Sequence, residues 1–438
     1  MILSGWGRTT PQACRVSRPR SEAELAARVA EGGLIARGAG RAYGDAAQSA
    51  ANTVDMGGVN RMIRFDADSG QLVAEAGVWL ADVIATFLPR GWFPAVTPGT
   101  RFVTLGGAVA ADVHGKNHHR EGSFGAFVDW IDLMGPDGTV RRLTPGDDLF
   151  RWTLGGMGLT GVILRVALRL RRVETGWIAQ RTVVAPDLAA AMAAFEGNAD
   201  ALYSVAWIDC LAQGAALGRS LVMLGEHASV AALPGVRREH PFTVPARPRR
   251  ALPFDAPGFA LNPLTVRAFN EVYWQLGKRK AGPALVPWDA YFYPLDAIGN
   301  WNRIYGRRGF VQFQCALPLA SSADALHELL KVVSASGQGS FLAVLKRFGP
   351  QAAPFAFPME GYTLALDFPL HGQTSALLDR LDRIVVAAGG RFYLAKDARM
   401  SRETLWQADP RAAAFVELRD RLGLRAAFAS TQSERLGL

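Results

Sequence analysis

The chain has 438 residues, 49% of them hydrophobic, with 48 basic and 39 acidic side chains for a net charge of +9, 46 glycines and 24 prolines. At about 100 to 200 residues per domain, this length implies two or three globular domains. The glycine and proline content excludes helical bundles, coiled coils, fibres and disordered chains.

From the N-terminus, the segment from Met1 to Arg8 lacks the basic stretch, apolar core and cleavage site of a secretory signal. No later segment reaches the roughly 18 uninterrupted apolar residues of a spanning helix. The expectation is a protein that is cytoplasmic or held peripherally at the inner membrane, with no signal peptide and no transmembrane helix. Cys14, Cys210 and Cys315 lie far apart with no C-x-x-C pair, which argues against a disulfide framework.

Residues 21–31 read as a helix opened by a capping box, with Ser21 as N-cap and Glu24 three positions on, and closed by Gly32 and Gly33. A strand over 34–36 runs into Arg37-Gly-Ala-Gly-Arg-Ala-Tyr-Gly-Asp45. There Gly38, Gly40 and Gly44 let the backbone turn tightly and aim its N–H groups at one spot, a nest that binds phosphate; a tight structural turn is the competing reading. The spacing is G-x-G-x-x-x-G and a β-like stretch over 53–56 follows without a long helix, so a Rossmann dinucleotide site is excluded.

The second glycine-rich segment runs from Pro98 to His119. Small residues at Gly99, Gly106, Gly107, Ala108, Ala110 and Ala111 leave room for a flat cofactor, and Thr100, Thr104 and free N–H groups suit a pyrophosphate. His114, His118 and His119 lack carboxylate or thiolate neighbours in a zinc spacing, so no metal is expected. A third bend, Gly155-Gly-Met-Gly-Leu-Thr-Gly161, enters the β-branched run beginning at Val162.

Residues 237–280 hold nine basic side chains (Arg237, Arg238, Arg247, Arg249, Arg250, Arg267, Lys278, Arg279 and Lys280) against three acidic ones, Glu239, Asp255 and Glu271. Seven prolines between Pro234 and Pro263 predict an extended, mobile surface loop carrying Phe242, Phe254 and Phe259. A solvated loop, a contact to anionic lipid or a phosphorylated lipid, and a nucleic-acid patch compete; nucleic acid ranks last because no recognition signature accompanies the charge. Further on, Gln312 and Gln314 alternate with Val311 and Phe313, which puts both amides on one strand face, toward either a site or solvent. Residues 375–388 read as helical and 389–396 as a short strand.

In this order, Gly40-Arg-Ala-Tyr-Gly-Asp45, the Pro98 to Gly115 segment and Gly155 to Gly161 resemble the vanillyl-alcohol oxidase and p-cresol methylhydroxylase (VAO/PCMH) type of FAD-binding fold. Trp6-Gly-Arg, His114-Gly-Lys-Asn-His-His119, Asp296 with Trp301-Asn-Arg-Ile-Tyr-Gly306, Phe348-Gly-Pro350 and Ala395-Lys-Asp397 narrow the resemblance to the decaprenylphosphoryl-β-D-ribose 2′-oxidase family, from Trp6 to the C-terminus.

The resemblance implies an α+β, two-domain fold. An FAD-binding domain would span 1–175, a substrate domain on an antiparallel sheet 176–390, with the basic mobile loop at about 234–282, and a return to the flavin 391–438. It implies FAD bound without a covalent bond, because Tyr43 stands where many relatives carry the attaching histidine. The implied cofactor contacts are Arg37, Gly38, Ala39, Gly40, Arg41, Ala42, Tyr43, Gly44, Asp45 and Ala46 in the first loop. Those in the second are Gly99, Thr100, Thr104, Leu105, Gly106, Gly107, Ala111, Asp112, Val113, His114, Gly115 and Asn117, with Val162 and Tyr393 beyond it.

The activity implied is oxidation of the C2′ hydroxyl of a polyprenyl-phosphoryl ribose to a ketone, the first half of an epimerisation toward an arabinose donor for envelope glycans. Lys396 would position substrate and balance negative charge on the reduced cofactor, His114 would either accept the proton with a pKa near neutrality or make a structural hydrogen bond to the cofactor, and Tyr393 would pack or hydrogen-bond at the flavin. Trp207, Gln312, Gln314, Lys346 and Lys396 would bind substrate, the amides suiting sugar hydroxyls. Ala365 and Phe292 depart from the family pattern, where a cysteine and a tyrosine are common, and this bears on substrate choice.

Expected partners are a NAD-dependent keto-sugar reductase, a quinone or similar electron acceptor and an anionic membrane surface reached through the basic loop, with no nucleic acid. An oxidase of soluble alditols or sugar lactones on the same fold, and a non-catalytic interaction protein, are the alternatives.

Overall fold

The computed structural model describes residues 1–247, 250–257 and 261–438. Ser21 caps the helix Glu22–Ala30 by accepting from the Glu24 N–H at 3.2 Å. The Glu24 carboxylate reaches past Ser21 to the N–H of Arg20 at 2.9 Å, so the box closes one residue further out than its spacing predicts. Gly32 and Gly33, at φ +73° and +56°, turn the chain into the strand Leu34–Arg37. That strand pairs in parallel with Asn52–Asp55, which pairs in turn with Val16–Ser17. Between the two longer strands lies only the loop 38–51, without the helix a Rossmann unit requires.

An antiparallel sheet completes this half, with strands in the order Val140–Leu143, Val128–Met134, Val162–Arg172, Gln71–Glu75 and Met62–Phe65. Leu72, Ile131, Val166 and Leu168 on its inner face pack with Leu80, Val83 and Ile84 of the helix Leu80–Phe87. Val162–Arg172 is long enough to pair at its far end with Trp92–Pro94 as well.

Between Arg172 and Trp177 the chain crosses into an eight-stranded antiparallel sheet. Its order is Gly282–Pro287, Trp177–Ala185, Ser220–His227, Tyr203–Ile208, Ala343–Phe348, Gly361–Pro369, Phe310–Pro318 and Arg391–Phe392. Period-two alternation gives it two unlike faces. Val311, Phe313, Cys315, Leu345, Leu364 and Leu366 lie under the helices Leu188–Glu196, Ser322–Ser336 and Thr374–Ala387. Each such buried side chain contributes about 1.5–3 kcal/mol. The intervening residues, Trp207, Gln312, Gln314, Lys346, Ala365 and Asp367, face the other way and floor a large cleft.

Two expectations are corrected here. The strand expected over 389–396 covers only Arg391–Phe392. Its ladder to Cys315 and Ala316 stops there, because the Lys396 N–H bonds back to the Tyr393 carbonyl at 2.8 Å and coils the chain into a tight turn. The basic segment is not one loop either: it holds the short helix Val236–Glu239 and the 17-residue helix Pro263–Arg279. The long helix forms because Asn262 and Thr265 make a reciprocal capping box and Pro263 fills the first turn, where no N–H is needed. Several arginines of the segment are engaged: Arg237 stacks on Trp177 at 4.2 Å, and Arg247 donates to the carbonyls of Asp289 and Pro294. Phe242 packs inward on the core, whereas Phe254 is exposed. Arg249 and Phe259 lie outside the described residues.

The last helices, Arg402–Ala408, Arg411–Arg421, Leu424–Ala427 and Thr431–Leu436, bring the chain back to its beginning. Phe428 bridges Leu34, the Thr431 N–H donates to the Gln48 carbonyl at 2.9 Å, and Arg435 pairs with both Asp45 and Asp397 at 2.7 Å. No helix among the described residues is long and apolar enough to cross a membrane.

Candidate active site

The floor of the eight-stranded sheet and the three glycine-rich loops enclose a cleft of about 1130 Å³, above the upper end of the ~300–1,000 Å³ of ordinary ligand pockets. The first loop lines it with Gly38, Ala39, Gly40, Arg41, Ala42, Tyr43 and Ala46, and the second with Gly99, Thr100, Thr104, Gly106, Gly107, Ala111, Val113 and His114. Trp207, Gln312, Gln314, Lys346, Tyr393 and Lys396 complete the predicted lining from the substrate-domain side.

These walls fit a flat, anionic dinucleotide. The N–H groups of residues 38–42 donate to no acceptor among the described residues, which leaves a run of donors for phosphate oxygens. A Cβ at Gly38 would stand 2.2 Å from Thr104 Oγ1, so the first two loops touch only because that side chain is missing. A Cβ at Gly99 would meet no heavy atom within 4 Å, so the second loop presents bare backbone to open space. His114, 7% exposed, lines the cleft with its Nδ1 unpartnered among the described residues. These groups would hold FAD.

Eight predicted cofactor residues lie behind the walls instead. Arg37 donates to the carbonyls of Ala47 and Ser4 and Asp45 pairs with Arg435, so both brace the first loop. Gly44 packs against Asp397 and Ala398, with no space for a Cβ. Leu105 and Val162 are core residues. Asp112 accepts from Ser123 Oγ at 2.5 Å and from the Gly125 N–H at 2.9 Å, and burial pushes its pKa up to about 6. Asn117 donates to the Ala95 carbonyl at 2.9 Å, and Gly115 gives it room.

His114, His118 and His119 diverge. Gln314 donates to His114 Nε2 at 3.0 Å, His118 packs at a tilt against Phe348 with ring centres 4.5 Å apart, and His119 meets the Ala201 carbonyl at 2.8 Å. Burial holds His114 well below the usual histidine range, with Lys346, His118 and Lys396 adding repulsion. The near-neutral pKa expected of it is therefore corrected: His114 stays neutral and is a weak base.

The electrostatics of the cleft come from lysines. Lys116, Lys346 and Lys396 each keep some accessible surface, which opens into the cleft, and are otherwise enclosed by protein. Desolvation brings Lys116 down to about 7 and Lys346 to about 8. It likewise lowers Lys396 and raises the nearby Asp367, which partly offsets the fall at Lys396. Asp367 accepts from Gln312 Nε2 and from the Tyr305 hydroxyl at 3.2 Å, and Gln312 also reaches the Tyr43 hydroxyl at 3.4 Å. The Lys396 Nζ rides over the Tyr43 ring. Gln314 donates to Thr363 Oγ1 as well, so both predicted amides are pinned on the sheet face that bears the site.

Three charged residues line the cleft without having been predicted as site residues, Asp296 having been read only as part of a motif. Lys116 sits over the Tyr291 ring at 4.1 Å and donates to the Tyr291 carbonyl, Asp367 faces Gln312 across two strands, and Asp296 accepts from the Arg101 N–H at 2.9 Å. Lys116 lay inside the histidine motif, the signal that could have found it.

Residues 14–144 match the FAD binding domain family. Over its full length the chain is 36% identical to decaprenylphosphoryl-β-D-ribose oxidase of Mycolicibacterium smegmatis, covering 97% of that protein. It is also 36% identical to an uncharacterised protein encoded in the mprA 5′ region of Streptomyces coelicolor, over 80% of this chain and 97% of that one. Mouse L-gulonolactone oxidase is 28% identical over 30% of each chain.

Proposed function

The chain belongs to the decaprenylphosphoryl-β-D-ribose oxidase family, FAD-dependent oxidoreductases of the VAO/PCMH type with an α+β two-domain fold, and from that premise we propose that it oxidises the C2′ hydroxyl of a polyprenyl-phosphoryl-β-D-ribose to the 2′-ketone. The product would be handed to a NAD-dependent reductase to complete epimerisation toward a polyprenyl-phosphoryl arabinose donor. A quinone or similar acceptor would restore the oxidised cofactor. The observation that carries this reading is the grouping of three enclosed lysines, two pinned glutamines and an aromatic wall in one cleft. Cations suit a phosphate, amides suit ribose hydroxyls, and Trp207, Phe269 and Tyr273 suit a prenyl chain. A free alditol would leave the cations without an anion.

FAD, when bound, supplies the two-electron acceptor; Tyr43 in place of a histidine predicts that it is held without a covalent bond. The protein must orient the alcohol and take its proton. Lys396, with its pKa lowered by burial and standing beside Asp367 and Tyr43, is the best-placed acceptor among the described residues. Lys346 and Lys116 would hold the phosphate, Gln312 and Gln314 the ribose hydroxyls, and Tyr393, whose hydroxyl donates to the Ala111 carbonyl at 3.0 Å, would fix the wall beside His114. The FAD-binding and substrate domains would divide near residue 175, with 391–438 returning to the first. A peripheral position at an anionic membrane follows from the substrate.

The test is anaerobic addition of a short-chain polyprenyl-phosphoryl ribose to the purified yellow protein while the oxidised flavin band near ~450 nm is followed. Bleaching by this compound, with free ribose and alditols inert, is expected. Bleaching by free polyols alone would assign a soluble-sugar oxidase, and a protein that cannot take up FAD would remove the catalytic reading.

A further inference from the structure

Five large apolar side chains of the helix Pro263–Arg279 are exposed: Leu264, Phe269, Val272, Tyr273 and Leu276, at 76%, 44%, 58%, 39% and 47%. The last four fall at the i, i+3, i+4, i+7 spacing of one helical stripe. A different set, Val266, Asn270 and Trp274, faces inward, and Asn270 is anchored to Asp209 at 2.7 Å. The helix is therefore docked by one face and apolar on a second.

That second face is continuous with the cleft. Phe269 and Tyr273 line it, their rings 5.9 Å apart, and Tyr273 meets Trp207 of the cleft floor at 4.7 Å. Val272 and Leu276 extend the same stripe outward to solvent. Around it the charge is one-sided. Arg267, Lys278, Arg279 and Lys280 are exposed, and the one acid of the helix, Glu271, is taken by Arg219 at 2.7 Å.

We propose that the Phe269, Val272, Tyr273 and Leu276 stripe is a lipid-docking surface that seats the mouth of the cleft on an anionic bilayer. An amphipathic helix with an apolar stripe and a basic margin binds such an interface through buried apolar area and attraction to anionic head groups. Charge complementarity selects this occupant over a second copy of the chain, which would set the same cations against each other. The choice also rests on the membrane-borne substrate proposed above. It moves the contact from the arginine-rich loop, where Arg247 is engaged, to a helix built for it. Aromatic contact from Trp207 to Phe269 gives a prenyl chain a continuous path from the ribose site to the membrane.

The test is sedimentation of the full flavoprotein with vesicles of phosphatidylcholine alone or mixed with phosphatidylglycerol. The wild type should bind the anionic vesicles, and Val272→Glu/Leu276→Glu should weaken that binding by about tenfold or more. Neither residue lines the cleft, so turnover of a short-chain substrate in solution should be unchanged. The three native thiols are buried, so Leu276→Cys carrying an environment-sensitive dye should report transfer to an apolar medium on anionic vesicles only. Unchanged vesicle binding by a double variant that keeps its flavin would overturn the proposal. So would a loss of self-association, measured by light scattering, without a vesicle effect. If the glutamate pair loses the flavin, Val272→Ser/Leu276→Ser is judged by the same outcomes. Vesicle binding needs no turnover: wild-type protein that oxidises the short-chain substrate but ignores vesicles sinks the docking surface alone, and the converse sinks the substrate assignment alone.

Discussion

The Lys396 Nζ lies 3.8 Å from the centre of the Tyr43 ring. The Tyr43 ring is thus an aromatic floor for a cation, and that cation is the group we propose as acceptor of the substrate's hydroxyl proton. The Tyr43 face attracts the ammonium while burial disfavours its charge.

Replacing Lys396 by methionine keeps the stem and removes the proton carrier. Turnover is expected to fall about 10²–10³-fold, with the flavin spectrum retained. Thermal stability should change little, because the cost of the enclosed ammonium is relieved while the buried Asp367 loses a neighbouring cation. Single-turnover flavin bleaching against a melting curve separates the two effects.

Substrate binding should take up protons. Lys346, lowered to about 8, and Lys116, lowered to about 7, are partly neutral near pH 8, and a bound phosphate favours their charged forms. Affinity for the phosphorylated substrate should therefore weaken as pH rises above about 8. Calorimetry at pH 8 in buffers of different ionisation enthalpy should show net uptake, and Lys346→Met should reduce it.

Arg435→Ala should cost stability as well as cofactor. The guanidinium donates to Asp45 at 2.7 and 3.0 Å and to Asp397 at 2.7 Å, and both carboxylates are nearly buried. Leaving them unpaired is expected to cost about 3–5 kcal/mol, with FAD lost on dilution because the first loop is no longer braced. Denaturant unfolding and flavin release measure the two, and Arg435→Lys should recover part of each.

Gly38→Ala and Gly99→Ala should fail differently. The first drives a methyl into Thr104 and should disturb the fold and cofactor binding together. The second meets nothing in the protein, so stability should stay within about 0.5 kcal/mol of the wild type while FAD affinity falls. A wild-type FAD affinity in Gly99→Ala would remove that backbone from the cofactor wall.

The glycine loops were legible as bends because that property is local: Gly38, Gly40 and Gly99 bring to the cleft wall backbone that their own sequence frees. Gln312 and Gln314 were legible through strand alternation. Asp367 was not, since its meaning depends on a register that sets it opposite Gln312, and Lys346 acquires its depressed basicity only from walls supplied by distant segments. The arginine-rich loop misled because proline spacing hid the capped helix at Asn262. Arg37, Asp45, Asp112 and Asn117 carry the motif yet serve its frame, a distinction no linear pattern contains.

The return of Phe428 and Arg435 to the first loop orders events in time. At about 5–20 residues per second of synthesis, the 390 residues between Asp45 and Arg435 take roughly 20 to 80 s to appear. For that interval the first loop exists without its clamp. Until then Asp45 and Asp397 lack the cation that joins them, so the first loop is fully braced only once Arg435 has been made and has folded back.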